Sequence, residues 1–172
     1  VTDWADQAET ILADDDSDQL KNADGEVMGP RSELEHWHSR MGLLNGIIEQ
    51  LRTEPCRAVV GVLQVVKSRA LKRWKAIDNQ ITDAANEAKD NVKYLHTLDK
   101  YIEPLYGGDP ETIMDTLPGL LNNIRMMHTI ARYYSTTPRM TNLFRKITEQ
   151  MIGTCRKSVE ADGNLWEQDS EQ

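Results

Sequence analysis

Residues 56–103 read CRAVVGVLQVVKSRALKRWKAIDNQITDAANEAKDNVKYLHTLDKYIE. The stretch contains no proline and a single glycine, Gly61. Its apolar residues run Val59, Leu63, Val66, Ala70, Trp74, Ile77, Ile81, Ala84, Ala88, Val92, Leu95, Leu98 and Ile102, mostly at steps of three and four. That period marks one face of an α-helix. Read as one element it is a helix of ~48 residues, ~70 Å long at 1.5 Å per residue. A break near Lys67–Ser68 is equally compatible with the pattern. Thr53 as N-cap and Pro55 in the first turn open the helix. Pro104 is expected to end it, because the residue before a proline disfavours helical ψ.

The same period extends outward on both sides. Leu34, Trp37, Met41, Leu44, Ile48 and Leu51 form an apolar seam, which predicts a helix over about 31–52. Pro30 opens it, and Ser32 with Glu35 three residues on has the pattern of a capping box. Residues 3–13 read as a short helix with Trp4, Ala8, Ile11 and Leu12 on one side. Between them, residues 14–29 are acidic and poor in apolar groups, which predicts a solvated linker. Downstream, Gly107-Gly108 predicts a turn, and Asp109-Pro110-Glu111 has the chemistry of a helix start. A short helix to about Asp115 is expected. Pro118 is expected to open another, with Leu120, Ile124, Met127, Ala131 and Tyr134 on one face. Thr137-Pro138 opens the last, with Met140, Leu143, Ile147, Met151, Cys155 and Val159 in phase, and Gly163 is expected to end it. No alternating strand pattern of any length occurs. The predicted fold is all-α: an elongated antiparallel helical bundle, coiled-coil-like in its packing, with one very long helix. The predicted organisation is a short helix and acidic linker over 1–29, a helical module over 30–163 and an acidic tail over 164–172.

The chain has 172 residues, 39% apolar and 6% aromatic, and a net charge of −8. Its longest apolar run, Ala58–Val66, is interrupted by Gln64 and is too short for a membrane span of about 20 residues. The charge is unevenly placed. Residues 1–30 hold nine acids and one base, and residues 160–172 hold five acids and no base. The 14 acids and 19 bases between them make the middle mildly basic. An acidic chain of this kind is not a general nucleic-acid binder. Cys56 and Cys155 are too few and too far apart for a disulfide framework or a cysteine-rich zinc site. A reducing, cytoplasmic setting is the default, and the acidic start is unlike a secretory signal. The absence of an initial Met agrees with a segment of a longer polypeptide or a processed product.

Four constellations carry possible chemistry. Glu33…His36 and Glu35…His38 have the Glu-x-x-His spacing of di-iron carboxylate bundles. Lys93 and Arg125 stand three residues before His96 and His128, so the second motif such sites need is absent. Asp14, Asp16 and Asp18 resemble the start of a calcium loop, but Gln19 and Gly25 occupy the positions that need Gly and Glu. Lys67, Arg69, Lys72, Arg73 and Lys75 put five bases into nine residues. They are candidates for contact with an acidic partner surface, against the plainer reading of a solvated helix face; the chain's own acidic ends are another partner. In Arg132-Tyr133-Tyr134, Tyr134 fits the apolar phase and Tyr133 lies off it, as a second contact candidate. No Gly-rich phosphate loop, Gly-x-Ser-x-Gly or Walker-type Gly-Lys-Ser/Thr occurs. No catalytic, cofactor-binding or metal-binding residue is assigned, and no cofactor is expected.

Three strings go further. Gly29-Pro30-x-x-Glu33-Leu34-Glu35-x-Trp37-x-x-Arg40 resembles the opening motif of the N-terminal tail region of dynein heavy chains. The run from Ile81 to Leu95, with Ala84-Ala85-Asn86-Glu87-Ala88-Lys89-Asp90-Asn91 at its centre, resembles the most recognisable stretch of that family. Tyr133-Tyr134-Ser135-Thr136-Thr137-Pro138-Arg139-Met140 resembles its Tyr-Tyr-Asn-Thr…Arg-Met block, with Ser135 in place of Asn. The resemblance covers about residues 29–159 and is greatest to axonemal outer-arm heavy chains of the gamma type. It implies a non-catalytic stem segment of a microtubule-based ciliary motor. Such a stem joins heavy chains, carries intermediate and light chains and meets axonemal docking proteins, with no nucleic acid and no membrane as partner. The implied location is the axoneme of a cilium or flagellum. Within the motifs, Glu33, Trp37 and Arg40 would begin the seam helix. Glu87, Asn91 and Tyr94 belong to the long one, where Asn91 and Tyr94 are expected to tie it to a neighbour by hydrogen bonds. The competing readings are a di-metal carboxylate bundle and a spectrin-like spacer rod.

Overall fold

The computed structural model describes residues 2–13 and 29–169, with backbone alone at residue 2 and over 162–169. The expected linker, the calcium-loop mimic and the last three residues of the acidic tail lie outside these. Among the described residues there are seven α-helices and no strand: α1 Thr2–Ala13, α2 Arg31–Leu51, α3 Glu54–Val65, α4 Arg69–His96, α5 Asp99–Gly107, α6 Pro110–Ile130 and α7 Thr137–Asp169. The all-α expectation therefore holds.

The single long helix does not. Residues 54–107 form three helices, and each break has a local cause. At the first, Lys67 adopts a left-handed φ of 49°. The Ser68 amide then donates to Leu63 O at 3.1 Å and the Lys67 amide to Gln64 O at 3.2 Å. This pair of reversed bonds is a Schellman closure, which satisfies the last carbonyls of α3 and turns the chain. Ser68 Oγ then accepts from the Ala70 amide at 3.3 Å at the start of α4. At the second break, Thr97 and Leu98 tighten to i→i−3 bonds onto Tyr94 and Leu95. The Asn123 side chain of α6 donates to the Thr97 carbonyl at 2.9 Å.

The prolines differ from expectation too. Pro104 lies inside α5, which continues to Gly107, and Pro118 lies inside a single α6. A proline forfeits one backbone bond in a helix but does not forbid the rest, and buried residues flank each of these: Ile102 and Leu105 in α5, Ile113 and Leu120 in α6. Gly163 does not end α7, which runs on to Asp169; an internal glycine costs about 1 kcal/mol and no more. At α2 the capping box is absent. The helix starts at Arg31, and Ser32 Oγ donates backward to Gly29 O at 2.7 Å. Thr53 occupies the N-cap of α3 without a side-chain cap bond. Asp109 does cap α6, accepting from the Thr112 amide at 2.7 Å. That bond holds its carboxyl below the ordinary carboxylate range.

The chain divides into two compact units, residues 1–25 with 37–89 and residues 26–36 with 90–172. In the first, Ala5, Ala8, Trp37, Leu44, Trp74, Ile77 and Ile81 are buried. Here α1 is seated by Trp4 against Trp74, ring centroids 6.3 Å apart, and by Arg40 Nη1 donating to Ile11 O at 2.9 Å. In the second, α5 packs on α6 and α7, and α6 on α7. Leu98, Ile102, Leu105, Leu120, Ile124, Met127, Tyr134, Leu143 and Ile147 form its core. A Cβ on Gly119 would lie 2.6 Å from Tyr101 Cε1, so the close approach of α5 and α6 requires a glycine there.

Candidate protein-interaction site

The basic run is placed at the corner between α3 and α4. Lys67 is the left-handed residue of the turn, and Arg69, Lys72, Arg73 and Lys75 lie in the opening turns of α4. All five are exposed, but they are not equivalent. Arg73 is taken by the acidic N-terminal helix: its guanidinium reaches Asp6 Oδ1 at 2.6 Å and Glu9 Oε2 at 2.7 Å. Those bonds push its pKa further above the ordinary arginine value. Solvent screens such an exposed pair, so it orients α1 more than it stabilises the fold. Lys67, Arg69, Lys72 and Lys75 form no ion pair with a described residue.

The helix before that corner is unusual. Every residue of α3 is half-buried or exposed, although Val59, Val62 and Val65 lie on it and Val66 caps it. On its other side an open groove of about 400 Å³ separates it from α2 and α4, lined among others by Leu51, Arg57, Gly61, Gln64 and Trp74. The seam that is buried along α4 is thus exposed along α3. Tyr133, the other contact candidate, is half-buried. Its carbonyl accepts from Arg139 Nη1 at 2.9 Å, and the Arg132 guanidinium lies 5.2 Å from its ring centroid.

Several residues of the three motifs are buried. Glu33 is 1% exposed, and its Oε2 accepts from Lys146 Nζ of α7 at 2.6 Å. Tyr134 stands beside them, fully buried. Burial, and then the negative charge of Glu33, push its phenol well above the ordinary value. Just upstream, the Tyr106 hydroxyl accepts from the Arg31 amide at 3.1 Å, and the Arg31 guanidinium pairs with Glu103. A Cβ at Gly29 would overlap that hydroxyl, which accounts for the glycine opening the motif. Trp37 and Arg40 are buried, and Glu87 is half-buried.

Asn91 does not make the tie expected of it. It is fully buried, and neither its amide nitrogen nor its oxygen finds a hydrogen-bond partner among the described residues. Tyr94 is half-buried, with the Lys93 ammonium 5.0 Å from its ring centroid. Lys146 is the residue that sequence reasoning missed. Its only signal was a position next to Leu143 and Ile147 on the buried side of α7, where a lysine needs a counter-charge. Among the described residues no group of three or more His, Cys, Asp and Glu could hold a metal ion. The Glu33 carboxylate is engaged by Lys146 instead. No helix of the described residues is long and apolar enough to cross a membrane.

Among its described residues the chain is all-helical, with Glu33, Trp37, Arg40 and Asn91 buried and the basic corner exposed. The family model described as "Dynein heavy chain, N-terminal region 1" matches residues 1–172, and the chain belongs to the dynein heavy-chain family. It is 47% identical over 169 residues to "Dynein gamma chain, flagellar outer arm" of Chlamydomonas reinhardtii, covering 98% of this chain. It is 46% identical over 167 residues, 96% of the chain, to "Dynein axonemal heavy chain 5" of Rattus norvegicus. With "Dynein axonemal heavy chain 8" of Homo sapiens it shares 44% over 170 residues, 97% of the chain. The chain spans 4–5% of the length of these relatives.

Proposed function

We propose that this chain is a non-catalytic assembly segment of an axonemal dynein heavy-chain tail, working in the axoneme of a cilium or flagellum. The observation that carries the reading is near-complete coverage by the N-terminal region of the family, at 47% identity to a flagellar outer-arm heavy chain. In this role the segment associates with other heavy chains and helps to attach intermediate and light chains and axonemal docking proteins. Lys67, Arg69, Lys72, Lys75 and Tyr133 offer contacts, while Arg73 is occupied by α1. Glu33, Trp37, Arg40, Glu87, Asn91 and Tyr94 maintain the helical scaffold. The chain works as a helical module over 30–163 flanked by acidic segments. Buried motif residues support a scaffold rather than a reacting centre: Glu33 is paired with Lys146 and turned away from solvent.

The test uses the 172-residue chain, with helicity verified by circular dichroism. It is expected to hydrolyse no ATP and to capture dynein heavy, intermediate or light chains from axonemal extract. A helical chain that recovers no dynein subunit overturns the reading.

A further inference from the structure

A solvated helix normally turns its polar face outward, and α3 does the reverse. Val59, Val62 and Val66 fall within about 60° of one another on the helical wheel at ~100° per residue. They are 37%, 62% and 63% exposed. Val65, 83% exposed, borders them. Beyond Val66 the chain enters the left-handed corner with Lys67, Arg69 and Lys72. An exposed apolar stripe therefore ends against a cluster of positive charges that no described carboxylate neutralises. The corner is built rather than frayed, since two backbone bonds close it around a positive-φ lysine.

We infer that the outer face of α3 and the α3–α4 corner form one docking site for an acidic amphipathic helix of another polypeptide in the assembly. Both halves of the surface select that occupant. The valines need an apolar stripe at helical spacing, laid along α3. The lysines and arginine need carboxylates beyond one end of that stripe, which sets direction and register. An acidic peptide without apolar residues, such as a flexible acidic tail on a filament surface, neutralises the corner and leaves the valines wet. An uncharged apolar helix covers the valines and leaves the charges unpaired. The inference rests on the reading of this chain as an assembly segment, and it adds where the partner sits and what chemistry it carries.

The experiment uses the assembled dynein particle that contains the full heavy chain. Hydrogen exchange of the α3 amides is compared between the particle and the salt-dissociated heavy chain. Exchange over residues 59–66 is expected to slow by about tenfold or more in the particle, the effect of roughly 1.4 kcal/mol. A zero-length carbodiimide, which joins amines to carboxylates, is then applied to the particle. Lys67 and Lys72 are expected to link to Asp or Glu of another polypeptide, within a segment whose apolar residues recur at three and four. Heavy chains carrying Val62→Asp or Lys72→Glu are expected to lose the protection and the link. Val62 and Lys72 are both exposed, and retained helicity verifies folding. Links confined to this chain's own acids, to tubulin or to a second copy of this chain overturn the inference, as does unchanged exchange. If the heavy chain sediments with its subunits while α3 stays unprotected, the docking site falls and the assembly reading stands. If it sediments with none, the assembly reading falls first.

Discussion

At the scale of single residues, the pair Glu33–Lys146 has the most at stake. Both groups are removed from water, so each depends on the other's charge. Glu33→Gln or Lys146→Met leaves one buried charge uncompensated, and each is expected to cost about 3–5 kcal/mol in chemical denaturation. Tyr134 adds a pH dependence with a defined sign. Its folded pKa is raised above the ordinary 10.0, so the unfolded chain loses that proton first as pH rises. Stability from this residue is complete below pH 10 and falls above it by about 1.4 kcal/mol per pH unit until the folded pKa is reached. Melting curves across the alkaline range should show this slope, and Tyr134→Phe should flatten it. Lys67 illustrates strain. A left-handed lysine costs about 1–2 kcal/mol relative to the right-handed form. Lys67→Gly, which removes the Cβ responsible, is expected to raise stability by about 1 kcal/mol in denaturant titration.

At the scale of helices, the sequence was legible wherever apolar period and burial coincide. Leu34, Trp37, Met41, Leu44, Ile48 and Leu51 are all buried or half-buried in α2, as the seam predicts. Leu44 is fully enclosed, so Leu44→Ala should cost about 2–5 kcal/mol in thermal or denaturant unfolding. The faces of α6 and the first half of α7 follow the same rule. What the period could not convey was where helices stop. Period 3.6 continues unbroken across Lys67 and Thr97, because a Schellman turn or an inserted Asn123 leaves no apolar trace. Prolines misled in the opposite direction: Pro104 and Pro118 read as boundaries, but a proline inside a helix forfeits one backbone bond and leaves the rest in place. Gly119 is the reciprocal case, an unremarked residue fixed by packing. Gly119→Ala pushes a methyl into Tyr101 and should cost about 1–3 kcal/mol by the same measurement.

At the scale of the whole chain, the division of charge was legible and its destination partly so. Two of the N-terminal acids, Asp6 and Glu9 of α1, hold Arg73. Among the described residues, no carboxylate pairs with the remaining bases at the corner, and the valines of α3 are exposed. The candidate site was half visible in the sequence: the lysines and arginines stood out as a run. Two of their valine companions, Val59 and Val66, fell on the predicted apolar face, because an exposed apolar face and a buried one have the same period. Only burial separates them, and burial belongs to the folded chain. The Glu33–Lys146 pair was invisible for a related reason: its members stand 113 positions apart in sequence, beyond the reach of any local pattern.

That separation also orders events at synthesis. At about 5–20 residues per second, the ribosome adds Glu33 roughly 6–23 s before it adds Lys146. Throughout that interval the carboxylate that begins α2 has no counter-charge and remains hydrated. The second unit can therefore close only after α7 has been made, and until then Glu33 must keep its contact with water.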